Sequence, residues 1–280
     1  MYKRPPLPFE GNKKLWRKKF ISLIDSLDDD YIYCDLFGGS GILSHWIKKT
    51  KPESTVIYND YDYYIDRLNK IEQTNNILDE LRELLKDIKH GSKLSKETKG
   101  KVIEILKQYD NPDLITLRGS LHFSRKVNSK CDNVETFSNY DFYNNISKTN
   151  KPNVNDYLED LIIEHKDWEQ LYKEVKDKYK DKKIVFIMDP PYIYADRTDY
   201  KNKYWKLNDS IKIMKILKDE LFIMFNSTLS TFKETLDNLN ELFNLNINYN
   251  ILYNKMIKIY KSNRVDYCLI SNKLKYKNNN

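Results

Sequence analysis

Long apolar segments are missing from this 280-residue sequence. The longest obvious apolar run covers residues 184–188, far below the roughly 20 residues that a membrane-spanning helix needs. The basic amino-terminal stretch, "MYKRPPLPFEGNKKLWRKK", contains no apolar core of signal-peptide length. We therefore expect a soluble protein that works in the cytoplasm and has no membrane partner.

Cysteine and histidine are also scarce. The three cysteines, at positions 34, 131 and 268, are odd in number and far apart, which argues against a disulfide framework. The four histidines, at positions 45, 90, 122 and 165, form no cluster of metal ligands. We therefore expect reduced thiols, with Cys34 and Cys268 as small core residues, and no metal site.

The charge balance excludes no class of protein. The formal net charge is +7, from 48 Lys+Arg against 41 Asp+Glu, and the chain has 22 tyrosines. A basic balance is compatible with a nucleic-acid partner, but solvated lysine-rich helix faces give the same figure. Neither the charge nor the tyrosine content names a function.

Short strand-like runs alternate with helical patterns along much of the chain. The predicted strands cover residues 31–36, 55–59, 184–188, 221–225, 247–253, 256–260 and 265–271. The predicted helices cover residues 14–27, 42–49, 62–89, 168–179, 210–217 and 229–242. This order predicts an α/β fold whose sheet is mostly parallel and ends in an antiparallel hairpin.

The interval 62–160 differs from the rest. It begins with charged helices, contains a second helix near residues 102–108, and continues as a polar, loop-rich stretch up to Pro152. We interpret it as an insertion into a core formed by residues 1–61 and 161–272. Residues 273–280, "KLKYKNNN", are predicted to be a disordered basic tail.

Glycine is concentrated at one place, because Gly38, Gly39 and Gly41 are three of only seven in the chain. They lie between a predicted strand and a predicted helix, where glycine lets the backbone approach a ligand. A tight turn alone needs one glycine. The dinucleotide pattern G-x-G-x-x-G fails because Ser44 stands at its third glycine, and the Gly-Lys-Ser/Thr of a P-loop is absent.

An acid follows the next predicted strand. Asp60 lies about 20 residues beyond the glycine loop, a spacing that suits an acid on ribose hydroxyls. The glycine loop and Asp60 together indicate a nucleoside ligand that needs no pyrophosphate site.

The second unusual stretch is "FIMDPPY", in which an apolar strand runs into Asp189, Pro190, Pro191 and Tyr192. The prolines end the strand, because they cannot donate to a sheet ladder. They do not explain an acid at the carboxyl end of a strand, where open α/β sheets bind ligands. A helix cap or a structural ion pair is the alternative interpretation of Asp189.

The sequence "DLFGGSG" (residues 35–41), followed far downstream by Asp-Pro-Pro-Tyr, resembles the DNA adenine-N6 methyltransferases of the Dam type, the D12 class. Four weaker segments agree in order: "PPLPFEGNK" (5–13), "LRGSLHFSRK" (117–126), "HKDWEQLY" (165–172) and "VDYCLIS" (265–271). The resemblance implies a Rossmann-like methyltransferase sheet, a largely helical DNA-recognition insertion, and work in a bacterial or phage-infected cell.

The resemblance also implies S-adenosyl-L-methionine as cofactor, with S-adenosyl-L-homocysteine as product. It puts residues 37–41 against the methionine part, Asp60 on the ribose and Asp167 on the adenine. Asn12 stands where the family commonly has glycine. The full set of predicted cofactor residues is Phe9, Gly11, Lys13, Asp35, Phe37, Gly38, Gly39, Ser40, Gly41, Asp60, Asp167, Trp168 and Asp189.

The implied chemistry explains the Asp-Pro-Pro-Tyr stretch. The exocyclic amine of adenine is a poor nucleophile because its lone pair is delocalised into the ring. A carboxylate from Asp189 and the carbonyl of Pro190 would accept its two N–H bonds and expose the lone pair. Pro191 stiffens the link to Tyr192, which would stack on the base. The base must first be flipped out of the duplex.

The predicted DNA contacts are basic and aromatic groups in two places. One group is Arg118, His122, Arg125 and Lys126, and the other is Tyr200 and Lys203 with their neighbours Lys201, Tyr204 and Trp205. Each of these could instead be a solvated or snorkelling side chain. The expected partner is double-stranded DNA at a short palindrome such as GATC. A cognate restriction endonuclease is a candidate partner, and no obligate protein partner is evident.

Two alternatives stay open at this point. The enzyme could methylate another planar amine, namely cytosine N4, RNA adenine or a protein glutamine. The chain could also be a catalytically silent DNA-binding homologue. Asp at position 189, preceded by a long insertion, favours adenine in DNA.

Overall fold

A seven-stranded sheet organises the part of the chain that this computed structural model describes, which is residues 1–9, 11, 13–123, 133–154, 156–191, 207–259 and 262–277. The strands are β1 (Tyr31–Asp35), β2 (Val56–Asn59), β3 (Ile162–Glu164), β4 (Lys183–Met188), β5 (Leu221–Ser227), β6 (Tyr249–Ile259) and β7 (Ser262–Ser271). Their spatial order is β3-β2-β1-β4-β5-β7-β6. The strands β1 to β5 pair in parallel, whereas β7 pairs antiparallel with both β5 and β6. The predicted mostly parallel sheet with a final antiparallel hairpin is confirmed.

Helices cover both faces of the sheet, which explains the continuous apolar runs of its central strands. On one face lie α1 (Arg17–Ser26), which follows a 3-10 turn at Lys14–Trp16, and α2 (Ile42–Thr50). On the other face lie α8 (Trp168–Lys178), α9 (Leu207–Asp219) and α10 (Phe232–Phe243). Every residue of β1 and β2 is buried. Cys34 and Cys268 are buried as expected, with free thiols.

The strand order reverses between β1 and β4, which makes this the topological switch point of the sheet. From β1 the strand order runs outward through β2 to β3 on one side and through β4 to β5 on the other. In the β1–β4 pairing, Asp35 lies beside Ile187, two residues before Asp189. Open α/β sheets bind their ligands at such a reversal, outside the carboxyl ends of the strands.

The insertion has an apolar core of its own. Its helices are α3 (Tyr64–Asn69), α4 (Ile71–Leu84), α5 (Lys96–Lys107), α6 (Leu114–Leu121) and α7 (Val134–Ser138). A separate cluster of buried side chains is drawn from residues 77–146 only. Tyr64, Ile71 and Tyr157, however, belong to the apolar cluster of the sheet. Both ends of the insertion are therefore packed into the core fold.

Several predicted boundaries were wrong. The expected polar stretch before Pro152 contains α6 and α7, because Leu117 and Leu121 recur at helical spacing and are buried. The long helix at 62–89 is two helices, and the two strands at 247–253 and 256–260 are one strand with a register shift between Tyr253 and Met256. The edge strand β3 was missed because its three residues are partly or largely exposed and show no alternation.

The carboxyl-terminal residues 273–277 correct the prediction of a disordered tail. Leu274 is 4% exposed and belongs to the apolar cluster that contains α1. Tyr276 forms a bridge with Leu27, and the amide of Lys277 donates to the carbonyl of Ser26 at 2.8 Å. The buried Leu274 and these backbone bonds fix the segment in place. Its basic composition had suggested that it would be disordered. The remaining residues, 278–280, lie outside the described part.

None of the helices in the described ranges is long and apolar enough to cross a membrane.

His45 on α2 ties the amino-terminal segment to the end of the insertion. Its Nε2 accepts from the backbone N–H of Tyr2 at 2.9 Å. The proton must therefore be on Nδ1, which donates to the carbonyl of Tyr157 at 2.5 Å. The neighbouring Trp46 donates to the carbonyl of Tyr2 at 2.8 Å. Burial lowers the pKa of His45 to about 4, so the imidazole is neutral at physiological pH.

We predict that His45 makes stability depend on pH. Because its folded pKa lies below the unfolded value of about 6.5, its contribution is complete above pH 6.5 and is lost as the pH falls towards 4. At pH 5 this loss is about 2 kcal/mol of unfolding free energy. Urea unfolding of His45→Gln at pH 7.5 and pH 5 should show a smaller drop than wild type. The exposed His90→Gln serves as control and should keep the wild-type drop; equal drops in both variants would contradict the assignment.

Candidate active site

The glycine loop between β1 and α2 is held by hydrogen bonds to its carbonyl oxygens. The hydroxyl of Tyr58 on β2 donates to the carbonyl of Gly39 at 2.7 Å, and the hydroxyl of Tyr157 donates to that of Ser40 at 2.9 Å. Gly41 precedes α2 in the left-handed conformation, with φ of 73°, and its amide donates to the carbonyl of Gly38 at 2.8 Å. These bonds define the conformation of the loop in this structure.

Each of the three glycines is required by a different neighbour. A Cβ at Gly38 would lie 2.3 Å from the Tyr58 ring and 2.8 Å from the carbonyl oxygen of Asn59. At Gly39, where φ is 51°, it would lie 2.8 Å from the ring of Phe9, and at Gly41 it would lie 2.6 Å from Leu158. The concentration of glycine thus reflects close packing of protein groups as well as room for a ligand.

Asp35 is the most deeply buried acid of the site. It ends β1 with no exposed surface, and its Oδ2 accepts from the hydroxyl of Ser44 at 2.8 Å. Its Oδ1 has no hydrogen-bond partner among the described residues. Burial, reinforced by the charge of Asp189 and opposed by hydrogen bonds from Ser44 and from the backbone of Phe37, raises the pKa of Asp35 to about 7. A buried carboxylate oxygen without a partner is costly, so this atom is suited to a ligand donor.

Asp189 lies beside Asp35, at the carboxyl end of β4. Its Oδ2 forms an ion pair with Lys13, and its side chain is 23% exposed. The Nζ atom of Lys13 also donates to the carbonyl of Gly11 at 2.8 Å and lies 5.7 Å from the centre of the Phe225 ring. The amino-terminal motif and the Asp-Pro-Pro-Tyr motif, 176 residues apart, therefore meet through one charge pair.

Asp60 departs from its predicted role. It is fully buried, and both of its carboxylate oxygens accept backbone N–H bonds at the start of α3, from Tyr64 at 2.6 Å and Ile65 at 3.0 Å. The Tyr58 hydroxyl oxygen also lies 3.0 Å from Oδ1 of Asp60, so its single proton is shared between this carboxylate and the carbonyl of Gly39. Asp60 thus bonds to the first two amides of α3 in this structure and, because it is fully buried, is not open to a ribose.

The opposite rim of the crevice contains two other predicted residues. The Phe37 ring, from the glycine loop, lies 5.8 Å from the Trp168 ring at the start of α8. Asp167 caps α8 by accepting from the backbone N–H of Glu169 at 3.0 Å, and it is exposed to solvent. These two aromatic rings form an apolar wall with an acid at its edge.

Asn59 was not identified from the sequence. Its buried amide donates to the carbonyls of Leu36 at 3.0 Å and Lys166 at 2.9 Å, and it accepts from the amide of Lys166 at 3.1 Å. It therefore joins the glycine loop to the segment before α8. The signal available in the sequence was a polar residue at the end of an apolar strand. The prediction assigned a functional role to the neighbouring Asp60 instead of Asn59.

Only two of the residues expected to contact DNA, Arg118 and His122, lie in the described part of the chain. Arg118 and His122 are 4% and 6% exposed, so the structure places both inside the insertion. Arg118 donates to Nδ1 of His122 at 3.1 Å, and the His122 ring stacks on Phe137 with 4.4 Å between centres. Burial lowers the pKa of His122 to about 4. In this structure both side chains support α6 rather than standing exposed, and their contact with DNA stays a prediction.

The other expected residues of the site, Tyr192, Arg125, Lys126, Tyr200 and Lys203, lie outside the described ranges, as do Lys201, Tyr204 and Trp205. Among the described residues, no group of three or more His, Cys, Asp and Glu side chains could hold a metal ion.

The sheet order, the glycine loop after β1 and the acid after β4 define a Rossmann-like fold of the methyltransferase type. Comparison with known proteins gives the family. Residues 9–265 match the family model of the D12 class N6 adenine-specific DNA methyltransferases. A Haemophilus influenzae protein named "Putative methyltransferase" is 32% identical over 251 residues, which is 86% of this chain and 81% of that protein. The chain belongs to the D12 class N6 adenine-specific DNA methyltransferase family, and the resemblance is confirmed.

We predict opposite effects on stability for two glycine substitutions. Gly38→Ala should lower the unfolding free energy by about 1–3 kcal/mol, since its Cβ must displace Tyr58 and the backbone of β2. Gly119→Ala, inside α6 with nothing within 4 Å, should be neutral or raise it by up to about 1 kcal/mol. Urea unfolding curves measure both; a Gly38→Ala variant as stable as wild type would refute the packing argument.

Proposed function

We propose that the protein transfers a methyl group from S-adenosyl-L-methionine to N6 of an adenine that has been flipped out of duplex DNA. The observation that carries this proposal is the meeting of Asp35, the glycine loop and the Lys13–Asp189 pair at the reversal of the sheet. The family membership supports the adenine-specific reaction on DNA.

The residues of the crevice fit this cofactor. The unpartnered Oδ1 of Asp35 would accept from an ammonium group such as the one on the methionine part. The glycine loop, with Phe37 and Trp168 on its rim, offers backbone and apolar surface to the rest of the molecule. Asp167, at the exposed edge, is suited to accept from an adenine amine. Asp60 would contact the ribose only if the segments that bury it move. When bound, S-adenosyl-L-methionine supplies a methyl group on a positively charged sulfur.

The catalytic work assigned to the chain is positioning. Lys13 engages Oδ2 of Asp189, so Oδ1 is the oxygen left to accept one N–H of the adenine amine. The carbonyl of Pro190 would accept the other, and the lone pair of nitrogen would then point at the methyl donor. The product loses its proton after transfer, so no strong base is required. Alignment and fixed dipoles in a partly buried site supply the rate enhancement.

The amine of a stacked adenine faces its pairing partner, so base flipping is a requirement of this chemistry. Tyr192 is proposed to stack on the flipped base. A short palindrome such as GATC is the proposed target, and a cognate restriction endonuclease the candidate partner in the cell. Sequencing of N6-methyladenine positions in DNA from cells that express the protein would identify the target directly.

We predict that Asp189→Ala lowers the rate of methyl transfer about 10²-fold or more, because the amine loses its charged acceptor. Its affinity for S-adenosyl-L-homocysteine, measured by calorimetry, should stay close to that of wild type. The rate is measured with tritiated cofactor and unmethylated duplex DNA that is then digested to nucleosides. Asp181→Ala is the matched control, since Asp181 is exposed and lies just before the opposite end of β4.

The same assay separates the alternatives. Tritium in N6-methyladenosine of DNA is the expected result. Label only in cytosine, RNA or protein would assign another planar amine, and cofactor binding without label would indicate a silent homologue. Unchanged turnover in Asp189→Ala would exclude the role given to this acid.

We further predict that Lys13 acts on Asp189 more than on the cofactor. Lys13→Met leaves a half-buried carboxylate without its partner, so kcat should fall by up to about 10²-fold, while KM for the cofactor changes little. Lys13→Arg should recover part of kcat, since it restores the charge. Steady-state kinetics distinguish the two roles: a rise in KM with kcat unchanged would make Lys13 a cofactor ligand only.

A further inference from the structure

Side chains of helix α3 bond to the backbone of the amino-terminal segment. The buried hydroxyl of Tyr64 accepts from the N–H of Leu7 at 2.9 Å and donates to the carbonyl of the same residue at 3.0 Å. The Phe9 ring lies 5.7 Å from the Tyr64 ring, nearly perpendicular to it, and also contacts Gly39 of the glycine loop. The position of Phe9 over the glycine loop therefore depends on α3.

One turn further along the same face of α3 lies Arg67, which is 9% exposed. Its Nη2 donates to the carbonyl of Pro8 at 2.9 Å and to the hydroxyl of Thr116 at 3.0 Å. Its Nε lies 3.1 and 3.2 Å from the two carboxylate oxygens of Asp113. The guanidinium also lies over the Tyr64 ring, 5.3 Å from its centre. One side chain thus contacts the segment before Phe9 and the insertion at the same time.

The contact on the insertion side is the amino-terminal cap of α6. Asp113 caps this helix by accepting from the backbone N–H of Thr116 at 3.1 Å, and the Thr116 hydroxyl donates to the other carboxylate oxygen. Both residues are buried, at 4% and 1% exposure. Arg67 therefore bonds to the atoms that define where α6 begins, and it does so away from competing water.

We propose that Arg67 is a positioning residue that couples cofactor binding to DNA recognition, because it links the backbone beside Phe9, over the glycine loop, to the cap of α6 in the recognition insertion. This inference rests on the proposed function. Any displacement of the Pro8 carbonyl that accompanies cofactor binding would be passed through the planar guanidinium to Asp113 and Thr116. Coupling of this kind is reciprocal, so DNA binding must alter cofactor affinity by the same factor.

The test measures this factor directly. Calorimetry gives the Kd of S-adenosyl-L-homocysteine alone and with a saturating duplex oligonucleotide that contains the adenine methylated by the wild-type protein. The ratio of the two Kd values should lie at about 5- to 150-fold for wild type, as is typical of coupled sites. In Arg67→Lys it should fall to within about twofold of 1, because lysine keeps the charge but cannot hold three acceptors in one plane.

Arg82→Lys is the matched control. Arg82 lies on α4, where it bonds to Asp79 and to the carbonyl of Ser147 and is outside this network. Its ratio should equal that of wild type; loss of coupling in this variant as well would overturn the proposal. If Arg67→Lys does not fold, as judged by circular dichroism, Thr116→Val removes one acceptor of Arg67 and should lower the ratio by a smaller factor.

The outcomes separate the two levels of inference. A wild-type protein that binds no cofactor or methylates no adenine defeats the proposed function, and the coupling with it. A wild-type protein that methylates DNA but shows a ratio of 1 defeats only the coupling. So does a folded Arg67→Lys, or a folded Thr116→Val, that keeps the wild-type ratio.

Discussion

The parallel pairing of β1 with β4 is the constraint on which the site depends. These strands are separated by about 150 residues of chain, yet their register sets Asp35 beside Ile187 and so brings Asp189 to the same edge. Growth of the sheet in opposite directions from this pair leaves a crevice between the loops that follow them. A shift of one residue in this register would turn every side chain of β4 to the other face, and Asp189 would leave Asp35 and Lys13.

Around this pair, the site is assembled from groups whose partners lie in other parts of the chain. Tyr58 and Tyr157 donate to successive carbonyls of the glycine loop, and Asn59 joins that loop to the segment before α8. These are buried hydrogen bonds, and each would be costly to leave unmade. The loop is therefore held in one conformation before any ligand arrives, which is the condition that catalysis by positioning requires.

The features of the fold and of the site that could be predicted from the sequence are those where the local backbone conformation allows only particular residues. Glycines at positive φ and prolines that stop a strand are such cases, and alternating strand and helix patterns gave the α/β fold. The side-chain partners of Asp35, Asp60 and Arg118 could not be predicted, because they depend on which distant segments meet. Asp60 shows the limit clearly: its position after a strand could be predicted, but its burial against the first turn of α3 could not.

The charge of the chain illustrates the same limit. The net charge of +7 is compatible with a DNA partner but does not identify one, and many of the lysines pair with nearby acids on exposed helix faces, as Lys86 does with Glu83 and Lys101 with Glu97. Such pairs contribute little to stability and carry no information about a partner. Of the four residues in the densest group of candidate DNA contacts, Arg118 and His122 turn inward and support α6, whereas Arg125 and Lys126 lie outside the described residues. In this chain the informative charges are buried ones such as Lys13, Asp35, Arg67 and Asp113, because burial makes each of them depend on a specific partner.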